Sequence, residues 1–117
     1  MKSEQRDYFL LQKIVKYCSD ADEIIAPCGG QKEIFLSDRT CRYACAMCIF
    51  QVGELAGRLS DDAKSQMGTI VWSAVRGMRN VLAHDYISVN WDVIWLTATN
   101  DLPILKLACE NYLKTPE

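Results

Sequence analysis

The chain holds one histidine, three prolines and no basic excess, and no apolar run approaches a membrane span of roughly 20 residues. Each scarcity excludes something. A lone histidine without clustered carboxylates cannot assemble a histidine-rich metal shell, so no metal or other cofactor is expected. With 13 Lys and Arg against 15 Asp and Glu, the formal net charge is −2. Nucleic-acid binders draw most of their affinity from neutralised phosphates, so a nucleic-acid contact here has to be local rather than a broad basic face. The opening Met1–Asp7 stretch is polar and lacks the apolar core of an export signal, which points to the cytoplasm and away from membranes.

What is present is ordinary for a globular protein: half the residues are apolar and 24% are charged. A chain of 117 residues reads as a single domain, 1–117, able to bury a core without staples. The six cysteines are therefore read as reduced thiols. Cys18, Cys45 and Cys109 fall among apolar neighbours at helical spacing, as small buried hydrophobes.

Helical periodicity dominates. Residues 5–25 carry one apolar stripe, Leu10, Ile14, Tyr17, Cys18, Ala21 and Ile25, stopped by Pro27, Gly29 and Gly30. After a loop, a second helix opens at Ser37 or Asp38 and carries Cys41, Ala44, Cys45, Cys48, Ile49, Val52, Leu55, Ala56 and Leu59. Ser60-Asp61-Asp62 reads as a polar break. A third helix is expected over 66–84, with Val71, Val75, Met78 and Leu82 inward. Residues 87–90 form a connector, and the pattern resumes at Trp91, with a kink or fresh start at Pro103 capped by Asn100 or Asp101. The fold class is all-α, an antiparallel bundle of four to five helices.

The chemistry gathers between Arg76 and Tyr86. At about 100° per residue, Asn80 and His84 share a helix face and Arg76 lies close to it, whereas Arg79 and His84 diverge by about 140°. One copy does not aim both at a point; two copies across a two-fold axis can, so a homodimer with a composite cleft is expected. Such a cleft suits metal-free RNA cleavage. Histidine titrates near neutrality and can act as base toward the ribose 2′-hydroxyl or acid toward the leaving 5′-oxygen. Arginine offers a permanently charged fork for phosphate oxygens. Asn80 either orients His84 or binds phosphate. The plain alternative makes His84 a partner for the helix dipole. Glu54 either pairs with Arg79 or is solvated. Trp72, Trp91 and Trp95 either stack on bases or pack in the core, and Arg39, Arg42 and Arg58 read as surface charges. Cys41, Cys45 and Cys48 match a cluster-binding spacing, but on one helical face they read as packing.

The run Arg79-Asn80-Val81-Leu82-Ala83-His84-Asp85-Tyr86 resembles the R-x4-H-x-Y signature of HepT-like proteins in the HEPN superfamily. Trp72, Gly77-Met78, Val93 to Trp95 and Asn100-Asp101-Leu102-Pro103 resemble that family's C-terminal half, and Gly53-Glu54 a pair in its second helix. The likeness runs from about Phe35 to Leu113. It implies a HEPN-like homodimeric helical bundle acting as a metal-independent endoribonuclease toxin, with Arg79 and His84 catalytic and Asn80 assisting. Glu54 and Arg76 are candidate supporting residues. The likeness further implies a minimal nucleotidyltransferase antitoxin as partner, which transfers AMP from ATP onto Tyr86. Phosphate and a bulky base there would cover the cationic cleft. A rival reading keeps the module but not the catalysis: a HEPN domain that binds a nucleotidyltransferase or nucleotide. A third is a metal or redox sensor built on the cysteines.

Overall fold

The first helix, α1, spans Ser3–Ile25 and seals Leu10, Leu11, Ile14, Cys18 and Ala21 from water. Side chains such as Leu11 and Ile14, fully buried, each contribute roughly 2 kcal/mol of hydrophobic stabilisation. The structure, a computed structural model, describes residues 2–86 and 88–114. A 3-10 turn at Ala26–Cys28 ends α1, and Gly29 (φ 59°) and Gly30 (φ 78°) turn the chain through the left-handed region open to glycine.

Where a loop was expected, a short helix α2 (Lys32–Ser37) forms, because Phe35 is driven into the core against Trp95 at a ring separation of 5.1 Å. Helix α3 (Arg39–Ala56) starts as the sequence suggests: the Asp38 carboxylate accepts from the Cys41 amide at 3.0 Å. Its inner face is the expected stripe, with Cys41, Cys45, Cys48, Ile49, Val52, Leu55 and Ala56 buried.

The break after α3 comes at 57–60, and the polar triplet at 60–62 also starts a new helix. Ser60 Oγ accepts from the Ala63 amide at 3.1 Å and opens α4 (Asp61–Gln66). Ser60 is in turn gripped by the buried Asp7 of α1. Its amide donates to Oδ1 at 3.0 Å and its hydroxyl to Oδ2 at 2.6 Å. The helix expected from residue 66 begins only at Trp72, as α5 (Trp72–His84). Gly68 and the β-branched run Thr69-Ile70-Val71 are poor helix formers, and the Trp72 indole donates to the Lys64 carbonyl at 3.1 Å, tying α5 back to α4.

Asn90 caps α6 (Trp91–Leu96) by accepting from the Asp92 amide at 3.0 Å. The break expected at Pro103 takes the form of a change of helix type. A π-helical turn at Thr97–Asp101 absorbs it, the Leu102 amide reaching back to the Thr97 carbonyl, and α7 (Leu102–Lys114) continues with Pro103 in its first turn, where a missing amide costs little. The Thr97 and Thr99 hydroxyls donate to the Val93 and Trp95 carbonyls, each at 2.8 Å. The long segments α1, α3, α5 and the joined α6–α7 pack as a bundle, α3 lying between α1 and α5. The all-α architecture is as the sequence predicts. None of the described helices is long and apolar enough to cross a membrane.

Candidate functional site at the seam of α3 and α5

Helices α3 and α5 cross with Gly53 facing Arg79. A Cβ on Gly53 would overlap the Cβ of Arg79, closer than two carbons can approach, so only glycine permits this crossing. The next residue on α3, Glu54, accepts a hydrogen bond on Oε1 from Arg79 Nε. Arg79 Nη1 donates to Asn80 Oδ1 at 3.2 Å, and the guanidinium sits 5.6 Å from the centre of the Phe50 ring.

A guanidinium carries five N–H donors. One is committed to Glu54 and one to Asn80, so the rest are available to an anion. Glu54 thus pairs with Arg79, the alternative the sequence left open. The Asn80 side chain accepts from Arg79, and no side-chain hydrogen bond between Asn80 and His84 is made among the described residues.

His84 is the last residue of α5 and is exposed. With Ser73, Arg76 and Asn80 it forms one exposed line along α5, at steps of three and four. The helix is regular to its end, so Arg79 and His84 of one chain keep their divergence of about 140°.

Tyr86 lies beyond the end of α5. A further helical turn would bring it nearly in line with Arg79, seven positions earlier, but α5 stops at His84, and Asp85 caps it with an amide bonded to the Val81 carbonyl. Tyr86 folds back onto α3 instead. Its hydroxyl donates to the Tyr43 carbonyl at 2.9 Å, and its ring packs 5.5 Å from Tyr43 and edge-on to Trp91 at 6.3 Å. Burial pushes the phenol's pKa up, with the neighbouring Tyr43 adding to it. Asp85 Oδ1 accepts from the Ser88 amide at 3.3 Å, fixing the bend; Ile87 lies outside the described residues.

The three tryptophans serve packing: Trp72 against α4, Trp91 against Tyr43 and Tyr86, Trp95 against Phe35. Arg42, read from the sequence as a surface charge, lies over Trp91 at 5.3 Å and donates to the Leu36 carbonyl. Arg58, read the same way, lines a cleft with Arg76 and Arg79. The described cysteines are all free and buried. Burial pushes the thiols of Cys18, Cys45 and Cys109 up to about 12, and that of Cys41 to about 11, so thiolates are strongly disfavoured. Among the described residues no group of three or more His, Cys, Asp or Glu is placed to hold a metal ion.

Sequence reasoning missed Asp7, Tyr43 and Phe50. Phe50 was discoverable, since it stands one turn before Glu54 on the same face of α3. Asp7 carried no local signal, because its partner is distant in the chain.

The family model described as "Ribonuclease HepT-like" matches residues 14–112, and the chain belongs to that family. The chain is 32% identical over 82 residues to a "Probable ribonuclease HepT" of Thermococcus cleftensis, covering 70% of this chain and 74% of that one. A protein of Caldanaerobacter subterraneus, provisionally named an RNase, is 26% identical over 104 residues, 89% of this chain and 91% of its own. Another provisionally named RNase, from Methanocaldococcus jannaschii, is 28% identical over 85 residues, 73% and 70% of the two chains. No solved structure matches.

Proposed function

We propose that this protein is a metal-independent endoribonuclease toxin whose cleft is completed by a second copy of the chain. The observation that carries this is the state of Arg79: steadied by Glu54, Asn80 and Phe50, yet with donors left for a phosphate, on the helix that ends in an exposed His84. A fixed guanidinium stabilises charge that develops on phosphate oxygens in the transition state without reorganising during the reaction. His84 supplies proton transfer. The base takes the 2′-hydroxyl proton, the 2′-oxygen attacks phosphorus, and the 5′-oxygen leaves with a proton from the acid, giving a 2′,3′-cyclic phosphate and a 5′-hydroxyl. One imidazole cannot be acid and base in the same step, so His84 of each copy takes one role.

An apolar face supports the pairing of copies. Val71, Val93, Leu96 and Ile104 are 66%, 42%, 58% and 52% exposed and border a groove of about 400 Å³ between α5, α6 and α7. Water-exposed apolar surface of this kind favours association between copies.

Tyr86 is the point at which a minimal nucleotidyltransferase antitoxin silences the toxin. Its phenol oxygen attacks the α-phosphorus of ATP, pyrophosphate leaves, and AMP stays on the tyrosine. A phenol is protonated near neutral pH, and burial raises its pKa further, so the transferase supplies the base, and the bond to the Tyr43 carbonyl must open first.

The decisive experiment incubates purified protein with defined RNA, with and without chelator. Cleavage that survives chelator, leaves cyclic phosphate ends and disappears in His84→Ala is expected. No cleavage by the unmodified protein leaves instead a module that only binds a nucleotidyltransferase. Co-expression with a nucleotidyltransferase should add AMP-sized mass increments to the wild type and none to Tyr86→Phe.

A further inference from the structure

The end of α3, the helix α4 and the first turn of α5 enclose a cleft of about 510 Å³. Arg58, Lys64 and Arg76 line it, together with Arg79 and Glu54. The Glu54 carboxylate is already engaged by Arg79. Arg58, Lys64 and Arg76 have no ion pair among the described residues. In a chain of net charge −2, three uncompensated cations therefore converge on one concavity. Like charges so gathered repel one another, which favours an anion between them.

A second feature points the same way. Helix α5 begins in this cleft with Trp72 and Ser73, and no side chain caps its N-terminus at Val71. The first amides of a helix lack partners within it and carry its positive dipole end, which suits a phosphate oxygen. The walls are braced. Asp7 holds Ser60 at the start of α4, and the Lys64 carbonyl holds the Trp72 indole, so neither bond uses a cationic side chain.

We propose that this cleft is a phosphate-holding subsite for an RNA strand, separate from the point of cleavage; this rests on the ribonuclease reading of Arg79 and His84. Arg79 borders both places. Arg76 and His84 lie on one face of α5, about 12 Å apart along its axis. A strand running along Ser73, Arg76, Asn80 and His84 places one phosphate at the cleft while another lies beside the imidazole. Such a contact with RNA is local, as a chain of net charge −2 requires.

The test uses the whole protein and a fluorescent 2′-O-methyl oligoribonucleotide, which keeps the phosphates but lacks the nucleophilic hydroxyl. Affinity is measured across a salt series for the wild type, for the double variant Arg58→Gln/Lys64→Gln, and for Lys13→Gln on α1. The double variant should bind at least about tenfold more weakly. Its salt dependence should flatten by about 0.7 in log–log slope for each phosphate that is no longer neutralised, while Lys13→Gln behaves as wild type. A double variant with wild-type affinity and slope overturns the subsite. Displacement of the oligonucleotide by ATP or inorganic phosphate at comparable concentration shows a mononucleotide or free-phosphate site and overturns the assignment to a strand. The two readings fail separately: wild type that binds the analogue through this cleft but never cleaves RNA removes the nuclease, and normal cleavage with unchanged binding by the double variant removes the subsite.

Discussion

Arg79 Nε donates to the Glu54 carboxylate beside Gly53, where an added Cβ would run into Arg79. The pair is partly exposed, at 35% and 39%, so solvent screens it and its worth to stability is below about 1 kcal/mol. Its value is orientation. Glu54→Gln keeps the shape but loses the charge-assisted bond. RNA cleavage should fall about tenfold in kcat, about 1.4 kcal/mol of barrier, with the unfolding midpoint little changed. Unaltered turnover would detach Glu54 from the site.

Gly53→Ala should cost about 1–3 kcal/mol in urea denaturation, because the new methyl group forces α3 and α5 apart, and cleavage should fall with it as Arg79 shifts. Gly57→Ala is the control. It lies in ordinary right-handed helical conformation (φ −64°), and an added Cβ would meet nothing nearer than 3.5 Å, so alanine there should be neutral or stabilise by about 0.4–1 kcal/mol.

Asp7→Ala removes both bonds to Ser60 and leaves a half-buried amide and hydroxyl without a partner. A loss of about 2–3 kcal/mol is expected. Since α4 also carries Lys64, binding of the uncleavable RNA analogue should weaken in the same variant. A destabilisation under about 0.5 kcal/mol would show that α4 does not depend on α1.

The buried thiols predict a loss of stability in alkali. Cys18, Cys45 and Cys109 rise from 9.0 to about 12 in the folded protein. Between those values the unfolded chain loses these protons and the native one keeps them. Their contribution is therefore complete below pH 9 and declines as pH rises toward 12, by about 1.4 kcal/mol per thiol and pH unit. Urea midpoints measured from about pH 8 to about 10.5 should fall, and Cys45→Ala should fall less steeply than the wild type. Equal slopes would contradict the burial argument. The same thiols should resist alkylation until the protein unfolds.

The sequence alone determined the helical class, the inner stripes of α1 and α3, the Asp38 start of α3 and the cluster from Arg76 to Tyr86. These depend on periodicity and capping, which are local in the chain. It also carried the Gly53-Glu54 pair, though not its reason, which is the approach of Arg79. Tertiary structure alone decided that α5 starts at Trp72, that Pro103 sits after a π turn, that Tyr86 turns back to Tyr43, and that Arg58 and Lys64 join Arg76 in one cleft. The last two depend on partners far apart in sequence, Tyr43 with Tyr86 and, through the anchoring of α4, Asp7 with Ser60. No window of neighbouring residues contains both members of such a pair, so the free energy that selects them exists only once the helices have packed.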